Sequence, residues 1–236
     1  MALPTHLTSS DGIGVMSKTT VRDVSTEDTE PEPERTAAPR TVGAGRAFSV
    51  MLVITGALGL LASWVITLDK IKIAEAKAEG RTFTPNCSIN PIVSCGSVME
   101  SKQAAVFGFP NPFLGLVCYG IVICVGMSLL TRVRFPRWYW LTFNLGTLFG
   151  VGFCTWLQFQ TLYEINALCL WCSLAWVITI TMFWYVTSHN VRNDFLPAPR
   201  PVKNFLNEFT WVLPVTHVGI IAVLVLTRWG SQLWAS

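Results

Sequence analysis

The segment Ala167-Leu168-Cys169-Leu170-Trp171-Cys172-Ser173-Leu174-Ala175-Trp176 sets a C-x-x-C pair at the lip of an apolar run that continues to residue 187. That run is close to the ~20 residues a helix needs to cross a bilayer core. A second pair, Cys87 and Cys95, lies upstream in a polar stretch. Two thiol pairs, one of them opening a membrane helix, suit electron transfer between a soluble partner and something dissolved in lipid.

The rest of the composition agrees. The chain has 236 residues, of which 51% are hydrophobic and 13% charged, with ten Trp and fourteen Phe, and this is too apolar for a soluble domain of its length. The expected fold class is therefore an all-α integral membrane protein. The net charge of +3 is small, and the basic residues flank apolar runs, as topology signals do, so nucleic-acid binding is not expected.

Residues 1–45 are rich in Ser, Thr, Pro, Asp and Glu and poor in large apolar side chains, a composition expected to give a disordered cytoplasmic tail. No secretory signal is legible near Met1, so the first apolar span is expected to direct insertion itself. Five spans follow, at about 47–68, 112–131, 138–158, 167–187 and 210–228. Backbone polar groups find no water in lipid, so all five are expected to be helices. The third, holding Thr142 and Asn144 and several Gly, reads as a helix buried among the others.

Arg132, Arg134 and Arg137 lie between spans two and three, and Arg192, Arg200 and Lys203 between spans four and five, while the connection between spans three and four has no Lys or Arg. The excess of positive charge on cytoplasmic loops then places the N-terminus in the cytoplasm, and it places loop 69–111, the turn 158–166 and the C-terminus outside. Both cysteine pairs fall on that extracytoplasmic face, the compartment in which disulfides persist.

A C-x-x-C closes most readily in the first turn of a helix, because regular i, i+3 positions hold Cβ atoms ~5–6 Å apart and a disulfide needs about 3.8 Å. The unpaired N–H groups and dipole of that turn also favour a thiolate, the attacking form. A static disulfide is the alternative for either pair, and more so for Cys87 and Cys95. Pro85 and Pro91 keep their loop out of regular helix and suggest a mobile, exposed bridge of the exchanging kind. After Cys95, Ser97-Val98-Met99-Glu100 fits a capping box, which predicts a short helix from about Val98 to Phe107. Cys118, Cys124 and Cys154 fall within spans and are expected to stay reduced and inert. A four-cysteine zinc site would use tighter spacing, and the three His share no ligand or triad pattern, so no metal is expected.

Over residues 47–190 the order of features resembles the bacterial branch of the vitamin K epoxide reductase family. Cys87, Cys95, Ser101, Asn111, Cys169 and Cys172 each fall where that family's motif has them. The resemblance implies a four-helix transmembrane bundle around a quinone, menaquinone or ubiquinone, with a fifth peripheral transmembrane helix after a cytoplasmic loop over 191–236. It implies Cys169 and Cys172 as the active-site pair, with Cys172 nearer the quinone. Cys95 would exchange with Cys169, and Cys87 would meet an extracytoplasmic thioredoxin-like partner. Asn111 would bond a quinone carbonyl and Ser101 would steady a lid helix. Apart from the resemblance, the aromatic residues Phe113 and Trp176 are candidates to line the quinone site. The animal enzymes carry Tyr where this chain has Trp176, which favours plain quinone reduction over epoxide reduction. Some bacterial members append a thioredoxin-like domain; this sequence ends at Ser236, so its partner is expected to be a separate protein.

Two rival functions remain at this level. The same fold could work for its hydroquinone product rather than for disulfides in secreted proteins. A small transporter with a structural disulfide is disfavoured by the absence of Asp, Glu, Lys and Arg from the centres of the spans.

Overall fold

The computed structural model describes residues 40–230; the expected tail over 1–39 lies outside them. In chain order the elements are β1 (Thr41–Val42), α1 (Arg46–Ala78), α2 (Cys95–Glu100), α3 (Asn111–Leu130), β2 (Phe135–Pro136), α4 (Arg137–Phe159), α5 (Leu170–Arg192), α6 (Arg200–Glu208) and α7 (Val212–Trp229). A 3-10 turn over Lys102–Ala105 follows α2, and a wide π turn over Gln160–Ile165 ends α4. Five of these helices, α1, α3, α4 with its π turn, α5 and α7, are long and apolar enough to cross a membrane.

The bundle is organised around α1, which packs along α3 on one side and α5 on another, while α4 packs on the far side of α5. Close approach of α1 and α3 depends on small residues, as it does in lipid generally. A Cβ at Gly56 would stand 3.2 Å from the backbone nitrogen of Ile123, and one at Gly126 would stand 3.1 Å from that of Val53. The Tyr119 ring likewise lies flat over Gly59, where an added Cβ would meet Cε1 at 2.4 Å. Across the bundle the Tyr119 hydroxyl pairs with Thr179 Oγ1 at 2.7 Å and donates to Ala175 O at 3.3 Å, tying α3 to α5.

α7 is peripheral. Only Pro214 and Trp229 of this helix are buried, and it rests on α5, where Trp184 Nε1 donates to His217 Nδ1 at 3.2 Å. At its end Arg228 donates to Leu162 O at 3.2 Å and to Asn166 Oδ1 at 2.6 Å, which sets the α7 terminus beside the turn between α4 and α5.

Several expectations need correction. Chain order begins before residue 45: β1 pairs antiparallel with β2, Thr41 opposite Pro136 and Val42 opposite Phe135, and Trp140 Nε1 donates to Val42 O at 3.0 Å. A fully buried Trp140 needs a partner for its indole N–H, and the preceding chain supplies it. α1 continues ten residues past position 68, so the loop 69–111 begins as helix. The residues Ala74-Glu75-Ala76-Lys77-Ala78 are strong helix formers and carry it beyond the apolar run.

α1, not the more polar α4, is the most enclosed spanning helix. The Asn144 amide donates to Thr187 Oγ1 at 2.8 Å and, within its own helix, to Thr147 Oγ1 at 3.5 Å. The loop helix starts at Cys95, with Ser94 as its cap accepting from the Ser97 N–H at 3.3 Å. It breaks at Ser101, whose extended backbone ends it after Glu100.

Candidate active site

Cys169 is the N-cap of α5, with extended backbone at φ −103° and ψ 122°, and Cys172 lies in the first turn. The turn thus presents its unpaired amide N–H groups to the Cys169 sulfur. Cys169 is fully buried, yet its pKa is lowered from the ordinary thiol value. The Cys172 thiol donating to it is the main cause, helped by the backbone N–H groups of Cys172 and Trp171 and opposed by burial and the Asp69 charge. Both thiols of this pair are free.

The other pair is joined: Cys87 and Cys95 form a disulfide with Cα atoms 5.7 Å apart. What brings the two pairs together is a short parallel bridge. The Leu168 N–H donates to Ile92 O at 2.6 Å, and the Ser94 N–H donates to Leu168 O at 3.0 Å. Leu168 is therefore held between Ile92 and Ser94, and the next residue of each strand end is Cys169 on one side and Cys95 on the other. Cys87, Cys95 and Cys169 share one buried cluster with Ile66, Val98, Met99 and Ala167, and Cys172 packs at its edge.

The bridge is buried, with Cys87 8% and Cys95 0% exposed. This overturns the expectation of an exposed disulfide. Pro85 does exclude helix, but it is itself fully buried, and the pairing through Val93 folds the loop onto the bundle.

Cys172 also lines an apolar cavity of about 450 Å³, open on one side, whose wall is drawn from α1, α3, α4, α5, the segment 98–104 and the π turn. Ser101, Asn111 and Trp176 stand on its wall. Phe113 does not; its ring is 40% exposed on the outside of α3. Ser101 Oγ donates to Val98 O at 2.7 Å and stiffens the break after α2. The Asn111 amide clamps the 3-10 turn: Nδ2 donates to Gln103 O at 2.7 Å, and Oδ1 accepts from the Val106 N–H at 3.1 Å. An amide nitrogen has two hydrogens, so one donor remains for a ligand.

Among the wall residues that the sequence reading missed are Lys70, Cys118, Tyr119 and Cys154. Lys70 was assigned to a loop because the apolar run stops near 68, and the other three carry no spacing signal. Among the described residues no group of three His, Cys, Asp or Glu is placed to hold a metal ion.

A family model described as Vitamin K epoxide reductase family matches residues 50–187, a stretch that contains both cysteine pairs and the cavity wall. No curated protein matches the chain.

Proposed function

The chain belongs to the vitamin K epoxide reductase family, which makes it a membrane oxidoreductase of the disulfide and quinone type, and from that premise we propose that it oxidises a thioredoxin-like protein outside the cytoplasm and hands the electrons to a quinone. The product of use is the oxidised partner, which then introduces disulfides into secreted proteins. In this reading the N-terminus is cytoplasmic and both cysteine pairs face the extracytoplasmic side, as the Arg-rich 132–137 and 192–203 connections favour.

The relay has three exchanges. A thiolate of the reduced partner attacks Cys87, breaking the Cys87–Cys95 bond and freeing Cys95. The partner's second thiol then resolves its mixed disulfide and leaves oxidised. Cys95 attacks Cys169 of an oxidised Cys169–Cys172 pair and releases Cys172, and Cys87 closes back onto Cys95. The Cys169 and Cys172 thiols together then lose two electrons and two protons to the quinone and close their disulfide, leaving a quinol.

The observation that carries this reading is that Cys95 and Cys169 meet in one buried cluster while Cys172 faces the cavity. The cavity volume lies within the ~300–1,000 Å³ of small-molecule sites and its wall is mostly apolar, which suits a quinone ring. The test is Cys172→Ala: the Cys169 thiolate then attacks Cys95 of the Cys87–Cys95 disulfide and expels Cys87, and no Cys172 is left to attack Cys169 and release Cys95. A Cys95–Cys169 cross-link should accumulate and shift the protein on a non-reducing gel. A variant that never traps that bond, under any ratio of reduced partner, refutes the relay.

A further inference from the structure

The cavity wall carries one charged side chain among the described residues, Lys70. It projects from the outer turns of α1, and its Nζ donates to Ala104 O at 3.1 Å. Ala104 follows Gln103, whose carbonyl takes the Asn111 amide, so the ammonium and the amide sit on consecutive carbonyls of the same 3-10 turn. The two donors therefore converge at one end of the cavity, next to Ser101. No carboxylate among the described residues lies within ion-pair distance of Lys70, so its charge is not neutralised by a neighbour.

A cation bordering an apolar cavity loses part of its hydration, a cost that a purely structural tie to one carbonyl does not require. Fixed positive charge next to a site where negative charge develops is, by contrast, the commonest large contribution to catalysis. Reducing a quinone places electrons on the ring oxygens before protons neutralise them. A neutral amide at Asn111 answers that charge weakly; an ammonium answers it strongly.

We propose that Lys70 is a further catalytic residue, its ammonium meeting the quinone oxygen on which negative charge gathers as Cys172 delivers electrons. This rests on the quinone reading above. Overall, two electrons and two protons pass from the Cys169 and Cys172 thiols to the ring oxygens, and the two sulfurs close a disulfide. Lys70 keeps its own proton and exchanges its bond to Ala104 O for one to the ring oxygen.

The full-length protein is compared with Lys70→Met and Lys70→Arg by three measurements. Turnover is followed with a reduced dithiol protein and a soluble short-chain quinone, quinone binding by quenching of tryptophan fluorescence, and the thiol half-reaction by trapping the Cys95–Cys169 bond in a Cys172→Ala background. The Met variant should lose roughly a hundredfold in quinone turnover, the scale of removing one such donor. It should bind quinone within a few-fold of wild type and trap the cross-link at the wild-type rate. The Arg variant should recover most of the turnover. Thiol alkylation in intact cells should find Cys169 and Cys172 accumulating reduced in the Met variant.

Undiminished turnover in Lys70→Met overturns the proposal. So does loss of trapping together with turnover, which would make Lys70 a clamp on the 3-10 turn. A wild-type protein that traps the cross-link but reduces no quinone would instead overturn the quinone reading, and this inference with it.

Discussion

Three donors point at the Cys169 sulfur: the Cys172 thiol and the amides of Trp171 and Cys172. They outweigh burial, which by itself would raise the pKa of a thiol. The folded-state pKa is depressed below the ~8.5 of a free cysteine, so the thiolate persists as pH falls below the usual thiol range and is lost only on passing the lowered value. Peptide mapping of Cys169 alkylation against pH should therefore give a midpoint below that of an ordinary thiol. In Cys172→Ala, with the largest donor gone, the midpoint should move upward. A midpoint unmoved by the substitution would mean that the amides alone set the reactivity.

Short elements do the positioning here, and they are held by side chains from separate helices. The 3-10 turn Lys102–Ala105 is gripped by Lys70 of α1, by Asn111 of α3 and by Gln160 of the π turn, whose Oε1 accepts from Gln103 Nε2 at 3.4 Å. Asn111→Leu deletes the bond to Gln103 O and the one accepted from the Val106 N–H, each worth about 1 kcal/mol net. Trypsin should then cut at the exposed Lys102 several-fold faster than in wild type. The α1 and α3 pairing is tighter still. Gly56→Val would drive a Cβ to 2.8 Å from Ile123 Cγ1 and 3.2 Å from a backbone nitrogen that cannot step aside. Overpacking of this kind costs about 1–3 kcal/mol, and it should lower the thermal midpoint measured in detergent, with Gly56→Ala falling between.

At the scale of the whole molecule, alternating helices sort the connections onto two ends. Loop 79–94 and the turn at 160–169 share one end with the α7 terminus, through the Val93–Leu168 bridge and the Arg228 contacts. The β1–β2 pair and the Arg137 bond to Phe195 O, at 3.1 Å, mark the other. The charge rule assigns the first end to the outside. In intact cells an impermeant maleimide should label Glu79→Cys at once and Arg134→Cys only after permeabilisation. The reverse pattern would put both redox pairs in a reducing compartment and end the proposed function.

How much of this was legible in residues alone follows from what each feature depends on. The five spans, the C-x-x-C at a helix start and the separate loop pair were readable because length, apolarity and cysteine spacing are local properties, and lipid leaves the backbone only one way to satisfy itself. The meeting of Cys95 with Cys169 was foreseen through family likeness, but its cause was not, since two hydrogen bonds between Leu168 and residues 92–94 leave no pattern in either segment. Burial of the outer disulfide, the presence of Lys70, Tyr119 and Cys154 on the cavity wall and the absence of Phe113 from it were likewise decided in three dimensions. Which face of a nearly uniform apolar helix turns inward is set by its neighbours, because lipid and protein interior are equally apolar and hydrophobicity cannot choose between them.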